Sequence, residues 1–251
     1  MPPSLGSNLN ISPIIPFLLV LTMKEDALLN LANEIKDQSL REKVIALLKD
    51  PRLSLLETSD SKSTGFRESP ASRRRHHSYE NGLLIHTLST VKLALNLSDI
   101  LEQVYAVKVD RDVVVSASLL HDVFKHSTYS MIYPGRYARS KLGERLDHLT
   151  LITAELYARK FPIDVIHAVA AHHGDGSPIE PRTIEALLVH IADMADAEIN
   201  DKALFAAKDI IRECLMKETL TLPREISPFD VILAKKDGGC EEVRRRFASR
   251  L

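Results

Sequence analysis

The sequence predicts an all-α protein, a bundle of amphipathic helices built as one main domain. Apolar residues recur at intervals of three and four along almost every periodic segment. No run alternates apolar and polar residues for long enough to read as a strand, and no internal repeat is present. Clusters of Gly, Pro and Ser separate the periodic segments.

Each element follows from these signals in order. "ISPIIPFLLVLT" (11–22) is apolar but too short to span a bilayer and carries two prolines, so residues 1–22 are expected to be an extension outside the fold. From Met23, "MKEDALLNLANEIKDQSLREKVIALLKDP" predicts one or two helices stopped by Pro51. Residues 58–78, rich in Ser and Arg, predict a loop. "YENGLLIHTLSTVKLALNL" restarts a helix, and "DRDVVVSASLLHDVF" predicts a very apolar one. "YPGRYARSKLGER" reads as a basic loop. "LDHLTLITAELYARKF" and "IDVIHAVAAHH" predict two more helices, the second closed by Gly174, and "RTIEALLVHIADMADAEI" another. The expected boundaries are 1–22 for the extension, 23–220 for the helical domain and 221–251 for a tail packed on it. Short extended pieces are expected in "FDVILA", with a basic helix at the end.

Composition excludes some functions. The chain has 251 residues, is 45% hydrophobic and carries a formal net charge of -1, so any nucleic-acid contact must come from local patches. Trp is absent. The two cysteines, Cys214 and Cys240, have no CxxC spacing, which argues against a disulfide scaffold or a thiolate zinc site and fits a reducing cytoplasm.

The informative residues are the polar ones that interrupt apolar helices: His86, His121, Asp122, His148, His172, His173 and Asp193. His86 shares a stripe with Leu83, Leu93 and Leu97, and His172 one with Val165, Ala168 and Val169. A buried ionised carboxylate such as Asp122 needs a paired charge or a metal. Histidines and carboxylates converging from several helices supply what a metal site in a helical bundle requires. The mixed His/Asp set suits manganese, iron, nickel or zinc better than calcium. Asp196 reads as a solvated face residue, and His167 and His190 as core or supporting residues.

These motifs, "HHSYENGLLIHTLS", "LLHDVFK", "DHLTLI", "AAHHGDGSP" and "EALLVHIADMADA", resemble the HD-domain metal-dependent phosphohydrolases over residues 71–198. The fuller pattern is similar to the dinuclear type, and its wording to the HD domain of bacterial 3′-to-5′ exoribonucleases. The resemblance implies one metal on His86, His121, Asp122 and Asp193. A second would sit on His148, His172 and His173, with Asp122 bridging. Two divalent transition-metal ions (Mn, Fe or Ni, with Zn as a further choice) would then present a shared hydroxide to phosphorus. Asp122 and Lys125 are the expected catalytic residues. His77, Arg75, Arg136 and Arg139 are the expected phosphate-binding ones.

The chain departs from that branch in two ways. Phe124 stands where the branch often has glycine, and is expected to narrow access to the metals. No OB-fold segment for holding RNA is expected in this length. The implied activity is hydrolysis of phosphodiesters of nucleotides or short single-stranded oligonucleotides in the cytoplasm, with no membrane partner and self-association left open. The competing readings are a nucleotide phosphomonoesterase, for which the extra histidines would have no task, and a non-catalytic nucleotide- or RNA-binding sensor.

Overall fold

Helix-forming periodicity becomes helix almost throughout. The computed structural model describes residues 27–54, 64–133, 135–223 and 226–251; the expectation for residues 1–22 lies outside them. Residues 27–32 are helical and lead into α1 (Gln38–Lys49), whose N-cap Asp37 accepts from Leu40 N at 2.8 Å. The chain then gives α2 (Gly82–Tyr105), α3 (Arg111–Leu120) and a single turn, α4 (Lys125–Thr128). These are followed by α5 (His148–Ala158), α6 (Ile163–Ala170), the long α7 (Ile184–Leu215) and α8 (Pro228–Phe247). The all-α expectation holds.

α3 is the hub. Every residue from Val113 to Leu120 is buried, and the helix packs against α1, α2, α6 and α7. The main core gathers residues such as Val44, Leu84, Leu119, Leu120, Ile152 and Val169 around it. A smaller cluster seals α2, α3 and α7 together through Ala94, Val114 and Leu188. A third core lies between the second half of α7 and the tail, with Leu204, Ile211, Val231 and Phe247.

Three expectations are corrected. The basic loop contains an antiparallel hairpin, β1 (Tyr129–Tyr133) with β2 (Arg136–Arg139), turned at Gly135 with φ +72°. Its strands are too short to leave an alternating signature. "FDVILA" is helical: Ser227 and Asp230 form a reciprocal capping box around Pro228, which starts α8. Gly238 and Gly239 break that helix and disguise its period. Finally, Cys214 and Cys240 form a disulfide, with Cα atoms 4.9 Å apart. Packing of α8 on α7 joins residues that sequence spacing keeps apart, so the thiol-based argument for a reducing compartment falls away. Among the described residues no helix is long and apolar enough to cross a membrane.

Candidate metal centre

The helices deliver their polar interruptions to one place. α2 supplies His86; α3 ends at Leu120 and hands on His121 and Asp122. Val123 and Phe124, sealed in the main core, hold that turn from below. Asp147 caps α5 by accepting from Thr150 N at 2.7 Å, which leaves His148 at the first helical position. α6 is capped at Ala171, not closed by Gly174 as expected; His172 and His173 follow it, and Gly174 then turns the chain at φ +57°, where a Cβ would come within 2.6 Å of the His190 ring. α7 supplies Asp193.

Two quartets result. His86, His121, Asp122 and Asp193 form one, and Asp122, His148, His172 and His173 the other; within each, the ligand atoms lie within 4.8 Å of one another. In the first, His86 Nε2 is 3.2 Å from His121 Nε2, 3.3 Å from Asp122 Oδ2 and 3.0 Å from Asp193 Oδ1. In the second, Asp122 Oδ1 is 3.1 Å from His148 Nε2 and 3.6 Å from His172 Nε2. Ligand atoms about 2.1 Å from a shared cation lie roughly 3.0–3.4 Å apart, so the edges are near those of a coordination shell.

Hydrogen bonding does not account for this cluster. His121 Nδ1 lies 2.8 Å from Ser118 O, and His172 Nδ1 2.7 Å from Val169 O. Each Nδ1–H donates to its carbonyl, which turns the Nε2 lone pair inward. His148 Nε2, His172 Nε2 and both oxygens of Asp122 are buried without a well-aligned hydrogen bond. Lys125 Nζ, 2.5 Å from Asp122 Oδ2, offsets part of that carboxylate's charge; the remaining groups cost about 1–3 kcal/mol each when left unmet. The donor set fits divalent metal.

Electrostatics agrees. Burial alone would strip the His86 proton, yet Asp122, Asp193 and Asp196 hold the ring protonated well above its ordinary range, a positive charge where a cation fits. Burial pushes Asp122 up, but Lys125 and His121 hold it well below the usual carboxylate range. Burial lowers His148, and drives His173 down to about 3, so both rings are neutral at neutral pH, the form that offers a lone pair to a metal.

The other expected residues divide. Lys125 is buried, with Nζ 2.5 Å from Asp122 Oδ2, so it is no snorkelling surface lysine. Arg75 lines an open cleft of about 320 Å³ beside Lys125, His172, His173 and Asp193. His77 does not line that cleft. Its backbone takes φ +48°, its N–H donates to Asn200 Oδ1 at 2.6 Å, and its buried ring faces Asp196 at 3.6 Å. His76 lines the cleft in its place. Arg136 and Arg139 are exposed on β2, outside the cleft lining. The Phe124 ring is fully buried in the core and does not narrow the cleft, contrary to expectation. His190 lies 2.7 Å from His172 O through Nδ1 and lines the cleft. Asp196 was missed: it is buried, and its Oδ2 is 2.6 Å from His86 Nδ1. Its position one turn beyond Asp193 was the available signal.

A family model of the HD domain matches residues 83–198. The chain is 48% identical over 179 residues to the dihydroneopterin 2′,3′-cyclic phosphate phosphodiesterase of Methanocaldococcus jannaschii, covering 71% of each chain. The chain belongs to the HD-domain phosphohydrolases. It is also 31% identical over 156 residues to the 3′-5′ exoribonuclease YhaM of Bacillus subtilis, and 30% identical over 152 residues to that of Shouchella clausii. Those matches take in 57% and 55% of this chain but only 48% and 46% of the exoribonucleases, so it spans about half their length. No solved structure matches. The HD span holds both quartets and Asp196, whereas Arg75, His76 and the α8 tail lie outside it. Divalent metal belongs to the HD-domain chemistry, and this enzyme carries the cluster for it.

Proposed function

We propose that this HD-domain enzyme hydrolyses a phosphodiester within a small nucleotide-like molecule, a 2′,3′-cyclic phosphate being the leading candidate. Two divalent transition-metal ions, Mn, Fe or Ni with Zn as a further choice, would be held by His86, His121, Asp122 and Asp193 and by Asp122, His148, His172 and His173. The observation that carries this is Asp122, a buried carboxylate common to both quartets with neither oxygen in a well-aligned hydrogen bond. Metal bound there supplies Lewis acidity toward the phosphoryl group and an acidified water as nucleophile.

The chain's own residues do the rest. Lys125 keeps its proton, because Asp122 and Asp193 outweigh burial, and so offers a fixed positive charge to the phosphoryl oxygens. Arg75, on the cleft rim, offers a second cation. His121 and His172 are oriented by backbone carbonyls before any ligand arrives. The cleft volume suits a small molecule. The Methanocaldococcus relative, whose name specifies a cyclic phosphate, supports the choice of bond. The exoribonuclease relatives support a second reading, trimming of short single-stranded RNA.

Protein purified without chelator is expected to contain close to two transition-metal ions per chain by elemental analysis. It is expected to open 2′,3′-cyclic nucleotides to monophosphates, followed by phosphorus resonance. Metal-loaded protein that leaves the cyclic phosphate intact but shortens a 5′-labelled RNA from its 3′ end would replace the first reading with the second. Inertness toward both sinks the proposal.

A further inference from the structure

The tail brings together two sulfur atoms and a cation that the metal centre does not use. Cys214, near the end of α7, is bonded to Cys240 of α8, 26 residues on. Lys235 Nζ donates to both sulfurs, at 3.1 Å to Cys240 Sγ and 3.6 Å to Cys214 Sγ. It also lies 2.7 Å from Glu213 Oε1, but that carboxylate is well exposed and water screens the pair. In an unbroken helix, residues five apart point about 140° away from each other. The break at Gly238 and Gly239 removes that separation and turns Cys240 back onto the ammonium.

Two features go beyond what a staple needs. One side of the bond is reachable. Cys214 is buried, but Cys240 is only partly so, and a Cβ on the neighbouring Gly239 would meet nothing within 4 Å, which leaves room for an incoming thiol. The other feature is the cation. Exchange is faster when the departing sulfur is stabilised as thiolate, and an ammonium beside it does that.

We infer that Cys214–Cys240 is a thiol–disulfide exchange site, opened by a small dithiol and poised by Lys235. One thiolate of the dithiol attacks Cys240 Sγ, the S–S bond breaks, and Cys214 leaves as a thiolate facing Lys235 Nζ. The second thiol of the reagent then attacks the reagent's own sulfur in the mixed disulfide. This closes the reagent into a cyclic disulfide and releases Cys240. Two electrons pass to the protein, and the two protons of the dithiol go one to each cysteine. The opened tail is still held by Val243 and Phe247 in the core beside α7, and by Arg244 Nε, which donates to Cys214 O at 2.9 Å. Exchange loosens the turn at Gly238 and Gly239 without releasing the helix after it.

The test is reduction of the full chain by dithiothreitol at neutral pH, with free thiols counted over time by alkylation and mass spectrometry. The native, folded protein is expected to open its disulfide. Lys235→Met is expected to slow opening about tenfold, and Lys235→Arg to restore it. In guanidinium, where the ammonium no longer faces the sulfurs, all three chains are expected to react at one rate. Circular dichroism melting before reduction confirms that the variants fold. A bond that resists the dithiol until the chain is unfolded overturns the inference, as does a folded Lys235→Met chain that opens at the native rate. Two free thiols in protein purified without reductant would overturn it as well.

Discussion

Asp196 Oδ2 lies 2.6 Å from His86 Nδ1, while the other nitrogen of the same ring faces Asp122 and Asp193. A carboxylate behind a ligating imidazole fixes the ring and raises its basicity. Asp196→Asn keeps the shape and removes the charge, and is expected to weaken metal binding about 10- to 100-fold. Competition with a fluorescent chelator reads this directly, and unchanged affinity would mean the pair is only structural. Single residues were unevenly legible. A histidine or aspartate inside an apolar helix stands out, and His86, His121, Asp122, His148, His172, His173 and Asp193 are the residues the two quartets bring together. Asp196 escaped because α7 is apolar nearly all round and a second acid near its end resembles a solvated rim. His77 misled for another reason: its loop looks polar, but a left-handed backbone folds it beneath the chain.

Among elements, the turn before α2 does much of the placing. A Cβ on Gly82 would lie 2.1 Å from the carbonyl oxygen of His77, so only glycine lets the His76–His77 segment cross the start of this helix. Gly82→Ala is expected to cost about 1–3 kcal/mol, measured by denaturant unfolding. It should also displace His76 from the cleft. Wild-type stability in that variant would show that the loop shifts freely. Helices α1 to α3 and α5 to α7 were readable because their apolar spacing persists for several turns and their ends carry polar or glycine signals. The hairpin, the single turn α4 and the first half of α8 were not. Four or five residues are too few to show a period of two, and a glycine pair in mid-helix erases a period of 3.6.

For the molecule as a whole, buried histidines set the response to acid. Burial, then neighbouring positive charge, lowers His76 to about 2 and His77 and His173 to about 3. Their unfolded values lie near 6.5. Below that value the unfolded chain takes up protons that the folded chain refuses, so stability is full above about pH 6.5 and is lost as pH falls toward 3. His86, raised instead, acts in the opposite sense: its contribution is full below its unfolded pKa and is lost as pH rises through the folded one. Three groups outweigh one, and Asp122, Asp193 and Asp196, all lowered, add to the acid loss below about pH 4. The melting temperature of chelator-treated protein is therefore expected to fall steadily below pH 6.5. A flat profile between pH 6.5 and 4 would contradict these environments.

α7 bears on motion. It is one unbroken helix of 32 residues, about 48 Å long, carrying Asp193 and Asp196 near one end and the disulfide-bonded Cys214 near the other. Such a rod offers no hinge. The cleft wall that bears His190 and Asp193 is thus tied at its far end to the tail, and it holds its residues on one rigid line.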